Sequence, residues 1–227
     1  MKKLLAIVLL LCLVCHSAFA AGTLENLETR VVRIDNSGKF DIDVFVKVQN
    51  TGDAPVSLDD ADIYLYDASG AVLEDSGIYS MYPPILQPGE VGYLTTRIYS
   101  VDAAVANAMS TYTINIKPEH SWLENVLHIA HEGTYAEVEY YSVSPIVTFT
   151  INNTSADTVW NLVTVTVVRS AEGKILAIDS NTIYDVGIPA GGTILYEMDL
   201  GSYNLEKWNE AGYTVGSVET YVYAPLD

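Results

Sequence analysis

Cysteine is nearly missing from this chain. Two are present among 227 residues, Cys12 and Cys15, and both fall within the first fifteen positions. A disulfide framework is therefore excluded. Cations are scarce too: 11 Lys and Arg stand against 29 Asp and Glu, for a formal charge of −18. Such a chain cannot neutralise a run of phosphates, which argues against nucleic acid, and it is repelled by an anionic membrane surface. Gly191-Gly192-Thr193 lacks the Lys and the spacing of a phosphate loop. There is no Gly-x-Ser-x-Gly elbow, and His120, His128 and His131 crowd into one short segment. Nucleophilic catalysis thus has no visible nucleus, and the chain is not expected to be an enzyme.

What is present begins with an address. Lys2 and Lys3 precede an apolar run over residues 4–15, and Ala18-Phe19-Ala20 follows. That run is too short to span a bilayer, which needs about 20 helical residues. The order of charge, apolar run and small-x-small site predicts a signal peptide over residues 1–20, cleaved before Ala21. Cys12 follows Leu11 and Cys15 follows Val14, whereas a lipidated cysteine wants a small residue before it. Cleavage would remove both cysteines and two of the few lysines. The mature chain is then expected to be exported, periplasmic or extracellular, with no membrane insertion, and to rest on its core alone.

The remainder reads twice. Asn50-Thr51-Gly52 and Asn153-Thr154-Ser155 each follow an alternating run, 103 positions apart. Ala68-Ser69-Gly70-Ala71-Val72-Leu73 matches Ala171-Glu172-Gly173-Lys174-Ile175-Leu176 at the same shift. Leu86-Gln87-Pro88-Gly89 matches Ile188-Pro189-Ala190-Gly191 at 102, and Thr111-Tyr112-Thr113-Ile114 matches Gly212-Tyr213-Thr214-Val215 at 101. This order of matches predicts a duplication. The first unit spans residues 21–118 and the second 135–227, joined by residues 119–134.

Within each unit the period is two. Phe40, Ile42, Val44, Val46 and Val48 alternate with a mostly polar set, as Val147, Phe149 and Ile151 alternate with Thr148, Thr150 and Asn152. Asp67 to Gly70 and Ser170 to Gly173 read as hairpin loops whose glycine takes positive φ. Residues 91–100, 112–117, 193–200 and 213–223 read as further strands. Two stretches, around Asp102 to Met109 and Leu205 to Glu210, read as short helices before the last strand of each unit. One conflict remains: Ile63 and Leu65 alternate in the opposite phase to Val163, Val165 and Val167, which a bulge or a one-residue slip would reconcile.

The run Ile63-Tyr64-Leu65-Tyr66-Asp67, with Ser69 to Leu73 and Leu86-Gln87-Pro88-Gly89-Glu90, resembles the bacterial FxLYD-type domains. Ile63 stands where that motif has Phe, and Val168-Arg169-Ser170 replaces its Leu-Tyr-Asp part in the second unit. The resemblance implies an all-β chain of two tandem Ig-like (fibronectin-III-like) antiparallel sandwiches in an exported protein. It brings no catalytic or binding residues with it.

Few residues then remain as chemistry. Were residues 122–132 helical, Glu124, His128 and His131 would share one face and offer a metal two imidazoles and a carboxylate. Asp59, Asp60 and Asp62 cluster at a strand entry and would suit calcium, the one cofactor worth naming, although the ordered Asp-x-Asp-x-Asp-Gly loop is missing. Trp122, Tyr79 and Tyr82 would offer stacking surfaces to a sugar ring, while Trp160 and Trp208 read as packing residues. The expected partner is a protein or a cell-surface glycan. The expected role is a non-catalytic interaction or spacer protein of the bacterial envelope. The alternatives are a carbohydrate- or calcium-binding module and, behind these, a metal-dependent enzyme centred on the joining segment.

Overall fold

The computed structural model describes residues 22–121, 126–139 and 141–224. The expected signal peptide, Cys12, Cys15, Trp122 and Glu124 lie outside them. The described residues are mostly β, with fifteen strands and two short helices.

In the N-terminal half, β1 (Leu24–Asn36), β2 (Lys39–Asn50), β7 (Val91–Asp102) and β5 (Ser80–Tyr82) form one antiparallel sheet in the order β1-β2-β7-β5. The second sheet is built on β3 (Val56–Tyr66), which pairs with β4 (Val72–Gly77), β6 (Ile85–Leu86) and β8 (Thr111–His120). The C-terminal half repeats the pattern. β11 (Val143–Asn152) lies between β10 (Ala130–Glu139) and β14 (Thr193–Asp199), and β12 (Leu162–Ser170) lies between β13 (Ile175–Ile183) and β15 (Val215–Ala224). β9 (Leu127–His128) adds to the free edge of β15. The helices α1 (Ala103–Ala108) and α2 (Ser202–Glu210) stand before the last strand of each half, as the sequence predicts.

Each half closes a core between its two sheets. Ile42, Val44, Val46 and Val48 of β2 face Ile63 and Leu65 of β3 in one. Val147, Phe149 and Ile151 of β11 join Leu162, Val168 and Val222 in the other. In α2, Leu205 and Trp208 are three apart, so both turn inward. Trp160 differs from expectation: it is 54 % exposed, lying against Gly187, where a Cβ would run into its ring.

A third apolar cluster joins the halves. Phe45, Ile85 and Tyr93 meet Val165, Val167, Ile175, Ile178 and Tyr223. The outer face of the β1-β2-β7-β5 sheet thus packs on the outer face of the β13-β12-β15-β9 sheet. This arrangement explains the conflicting alternation. Neither a bulge nor a slip separates the two copies: Ala61, Ile63 and Leu65 correspond to Thr164, Thr166 and Val168, all buried. β12 is covered on both faces, and its valines at 163, 165 and 167 form the outward set that meets the other half. In β3 the outward set is Asp60, Asp62, Tyr64 and Tyr66, all partly exposed.

One proposed match does not survive. Leu65 pairs with Tyr112, but its counterpart Val168 pairs with Val218, so the last strands correspond at a shift of 106 rather than 101. The cause is a longer lead-in: α2 has 9 residues against 6 in α1, and a turn at Gly212 follows it. The stretch expected to join the units is also mostly strand where it is described. β9 and the first half of β10 pair with the C-terminal half.

Candidate functional site

The chain has four arginines in all, Arg30, Arg33, Arg97 and Arg169. The structure gathers every one of them where the halves meet. Arg169, at the end of β12, is nearly buried. Its Nε donates to Glu219 Oε1 at 2.7 Å, and its Nη1 donates to Glu28 Oε2 at 2.9 Å and to the Gly173 carbonyl at 2.8 Å. Glu219 also accepts from the hydroxyls of Tyr93 (2.7 Å) and Tyr221 (3.1 Å). Burial alone would raise the Glu219 carboxyl, but these donors hold it below the usual carboxylate range. Burial opposes the charge on Arg169 as well, and its bonds to Glu219, Tyr93 and Glu28 more than offset this. Glu28 and Tyr93 come from one half, Arg169, Glu219 and Tyr221 from the other, so the network locks the two together.

Beside this lock the halves part and leave a cleft of about 800 Å³. Its floor is the outer face of β1, β2 and β7; its far wall is β13 and α2. Arg97 and Asp43 lie directly opposite each other in β7 and β2, so the pairing register itself brings them together. Arg97 grips the buried Asp43 carboxylate through Nε to Oδ1 and through Nη2 to Oδ2, the latter at 2.8 Å. This fork raises the Arg97 guanidinium above its usual range against the effect of burial. Arg30 donates to the Ile175 carbonyl across the gap and sits 4.9 Å over the ring of Tyr213. Burial lowers its guanidinium, with Tyr213 and Glu28 opposing. Asp179 lines the cleft from β13; burial raises its carboxyl, against the Ser180 N–H and the charge of Arg97.

Aromatic rings border the same space. Tyr79 is 85 % exposed and Tyr99 is 70 % exposed, and both line the cleft. Tyr79 lies over Gly77, whose missing side chain makes room for the ring. The Arg97 guanidinium carbon is 5.9 Å from the centre of the Tyr99 ring.

The residues singled out from sequence scatter. Tyr79 is on the cleft. Tyr82 is half-buried beside the cluster that joins the halves. His128 is in β9 and His131 is in β10, not on one helical face. His128 Nε2 faces Glu90 Oε1 at 3.0 Å, a contact between the halves. His131 places Nδ1 2.9 Å from the Ile129 carbonyl and Nε2 2.9 Å from the Thr220 carbonyl, so both of its nitrogens are engaged by backbone. Asp59, Asp60 and Asp62 lie along β3 rather than on a loop. Asp59 falls where pairing with β8 shifts register, and Asp60 is bound to Lys117 Nζ at 2.6 Å. Among the described residues no three His, Cys, Asp or Glu side chains are grouped so as to hold a metal ion. No helix among them is long and apolar enough to cross a membrane.

Sequence reasoning passed over the arginines and Tyr99. Their scarcity was the available signal: in a chain this acidic, four guanidiniums are each held for a reason. A scan against protein-family models matches no family, and a search of the curated proteins finds no relative of this chain.

Proposed function

We propose that the chain is an exported, non-catalytic binding protein of the bacterial envelope, built from two tandem Ig-like sandwiches that present one shared site. The observation that carries this reading is the cleft between the halves. Two units joined only as a spacer need no matched surfaces. Here a buried apolar cluster and a network around Arg169 fix the angle between them, and the gap left beside that lock is lined with paired charges and exposed rings. Ligand sites favour such junctions, where rigid elements from two units converge. Paired charges and exposed rings suit binding, which is the activity this reading assigns to the cleft. The FxLYD resemblance and the expected leader peptide support work outside the cytoplasm.

The test uses the cysteine-free body of the chain. A single cysteine in place of Ser80 or Ala211, both on the cleft, carries a photo-crosslinker in intact cells; one at Tyr184, which does not line the cleft, serves as control. Adducts from positions 80 and 211 but not 184, on a protein whose N-terminus is Ala21, are the expected result. Adducts from position 184 alone, or a protein retained in the cytoplasm with its leader, would overturn the proposal.

A further inference from the structure

The charge balance of the cleft names a ligand class. This step rests on the reading of the cleft as a binding site. The chain as a whole carries −18, yet four of its cations (Arg30, Arg33, Arg97, Lys207) line the cleft beside four carboxylates (Asp35, Asp43, Asp179, Glu210). The site is therefore neutral inside an acidic molecule. The cations are also already engaged. Arg97 is held by Asp43, Lys207 Nζ by Glu210 at 2.8 Å, Arg30 by the Ile175 carbonyl and Tyr213, and Arg33 by the Ala106 carbonyl at 2.7 Å. An anionic ligand would find Arg97 and Lys207 already paired with carboxylates and would have to enter against the field of the whole chain. A cationic ligand would find Asp43 and Glu210 already paired with Arg97 and Lys207.

A neutral, polyhydroxylated ligand meets none of these penalties. A hydroxyl pair donates to and accepts from a carboxylate–guanidinium couple without breaking it, because Asp43 and Arg97 keep lone pairs and N–H groups beyond the two they share. The rings supply the rest. Tyr79 is braced on one face by Gly77 and is open on the other, which makes it a platform fixed before binding. Tyr99 presents a second ring, with Arg97 beside it. Stacking of the apolar C–H face of a pyranose on such rings, with hydroxyls directed to the paired charges, uses both features of the site. We propose that the cleft binds a neutral carbohydrate chain, with Tyr79 and Tyr99 as stacking residues and the Asp43–Arg97 pair as the hydroxyl-binding group.

Calorimetry on the full mature chain tests this. The probes are neutral hexasaccharides of β-1,4-linked glucose, N-acetylglucosamine, mannose and xylose, and of α-1,4-linked glucose. Oligogalacturonate, a hexaglutamate peptide and spermine are the charged comparators. At least one neutral probe is expected to bind, with affinity unchanged between about 50 mM and about 500 mM salt, since no net charge is exchanged. Tyr79→Ala and Tyr99→Ala are each expected to weaken that binding about tenfold, with the melting temperature unchanged. Gly77→Ala, which displaces the Tyr79 ring, should do the same. Binding of a charged comparator alone, neutral binding indifferent to both tyrosines, or no neutral binding at all would overturn the carbohydrate assignment. If in that last case crosslinks from positions 80 and 211 still capture a partner, the cleft stands as a binding site and only the ligand class falls.

Discussion

The residue that recurs with the clearest purpose is an asparagine. Asn50 and Asn153 are both fully buried and occupy the same place in each half. Asn50 Nδ2 donates to the carbonyls of Ala54 and Leu86 at 2.8 and 2.9 Å, and its Oδ1 accepts the Gly52 N–H. Asn153 Nδ2 donates to those of Asp157 and Ile188 at 2.7 and 2.8 Å, and its Oδ1 accepts the Ser155 N–H. Each amide fastens its own loop to a residue held in β pairing, Leu86 or Ile188. Asn153→Ala would remove both amide bonds and leave a cavity, with the Ile188 carbonyl keeping only the Val159 N–H, and is expected to cost about 2–3 kcal/mol, read from the urea midpoint. An effect below about 0.5 kcal/mol would mean that water replaces the amide at no loss. The opposite sign is expected at Thr166. Its Oγ1 is buried with no hydrogen-bond partner among the described residues, and the corresponding residue of the first half is Ile63. Thr166→Val keeps the shape and removes the orphan hydroxyl, so stability should rise by about 1 kcal/mol. A fall in midpoint would show that the hydroxyl is in fact satisfied.

At the scale of elements, the hairpins were the most legible part. Gly70 and Gly173 have φ of 86° and 83°, and the loop carbonyls of Asp67 and Ser170 accept their N–H groups at 3.1 and 2.9 Å. Only glycine takes that backbone freely, so the two loops could be read from spacing and composition alone. Gly173→Ala is expected to cost about 1–2 kcal/mol although nothing lies near the added methyl, because the strain is in the backbone. A neutral result in thermal melts would contradict this. β2 and β11 were legible for the same local reason, a period of two with one buried face. β12 was not. Val163, Val165 and Val167 follow a phase that makes sense only once another sheet covers them, and no local pattern announces a non-local layer. The equivalence of β8 and β15 was missed because Tyr-Thr recurs at the start of both stretches by composition, while the ladder counts from the other end. The cleft was hidden for a related reason. Arg30, Arg97 and Tyr99 are ordinary strand residues until register and stacking set them on one wall; Tyr79 was singled out in sequence, with Tyr82 and Trp122, only as a stacking ring.

At the scale of the molecule, the two halves are held by contacts of different kinds, and these answer to pH differently. The Arg169 network pairs an always-charged guanidinium with carboxylates and persists across the neutral range. The contact between His128 and Glu90 does not. Its hydrogen bond with Glu90 raises the His128 imidazole above its ordinary range, against some desolvation. Burial would raise the Glu90 carboxyl, but His128 and the Gln87 N–H hold it below the ordinary range. A raised histidine stabilises fully below its unfolded value of about 6.5 and loses that contribution as pH rises through the folded value. A lowered carboxylate stabilises fully above its unfolded value of about 4.3 and loses it as pH falls through the folded value. The pair is therefore strongest between about pH 4.3 and 6.5, and its alkaline limit is set by His128. His128 is 45 % exposed, so solvent screening keeps its worth below about 1 kcal/mol. His128→Gln removes the proton-dependent part while keeping a neutral donor. The melting temperature of the parent should exceed that of His128→Gln near pH 6, and the gap should close as pH rises toward 8.5. A gap that stays constant over that range would show that the contact holds the halves by packing alone, without charge.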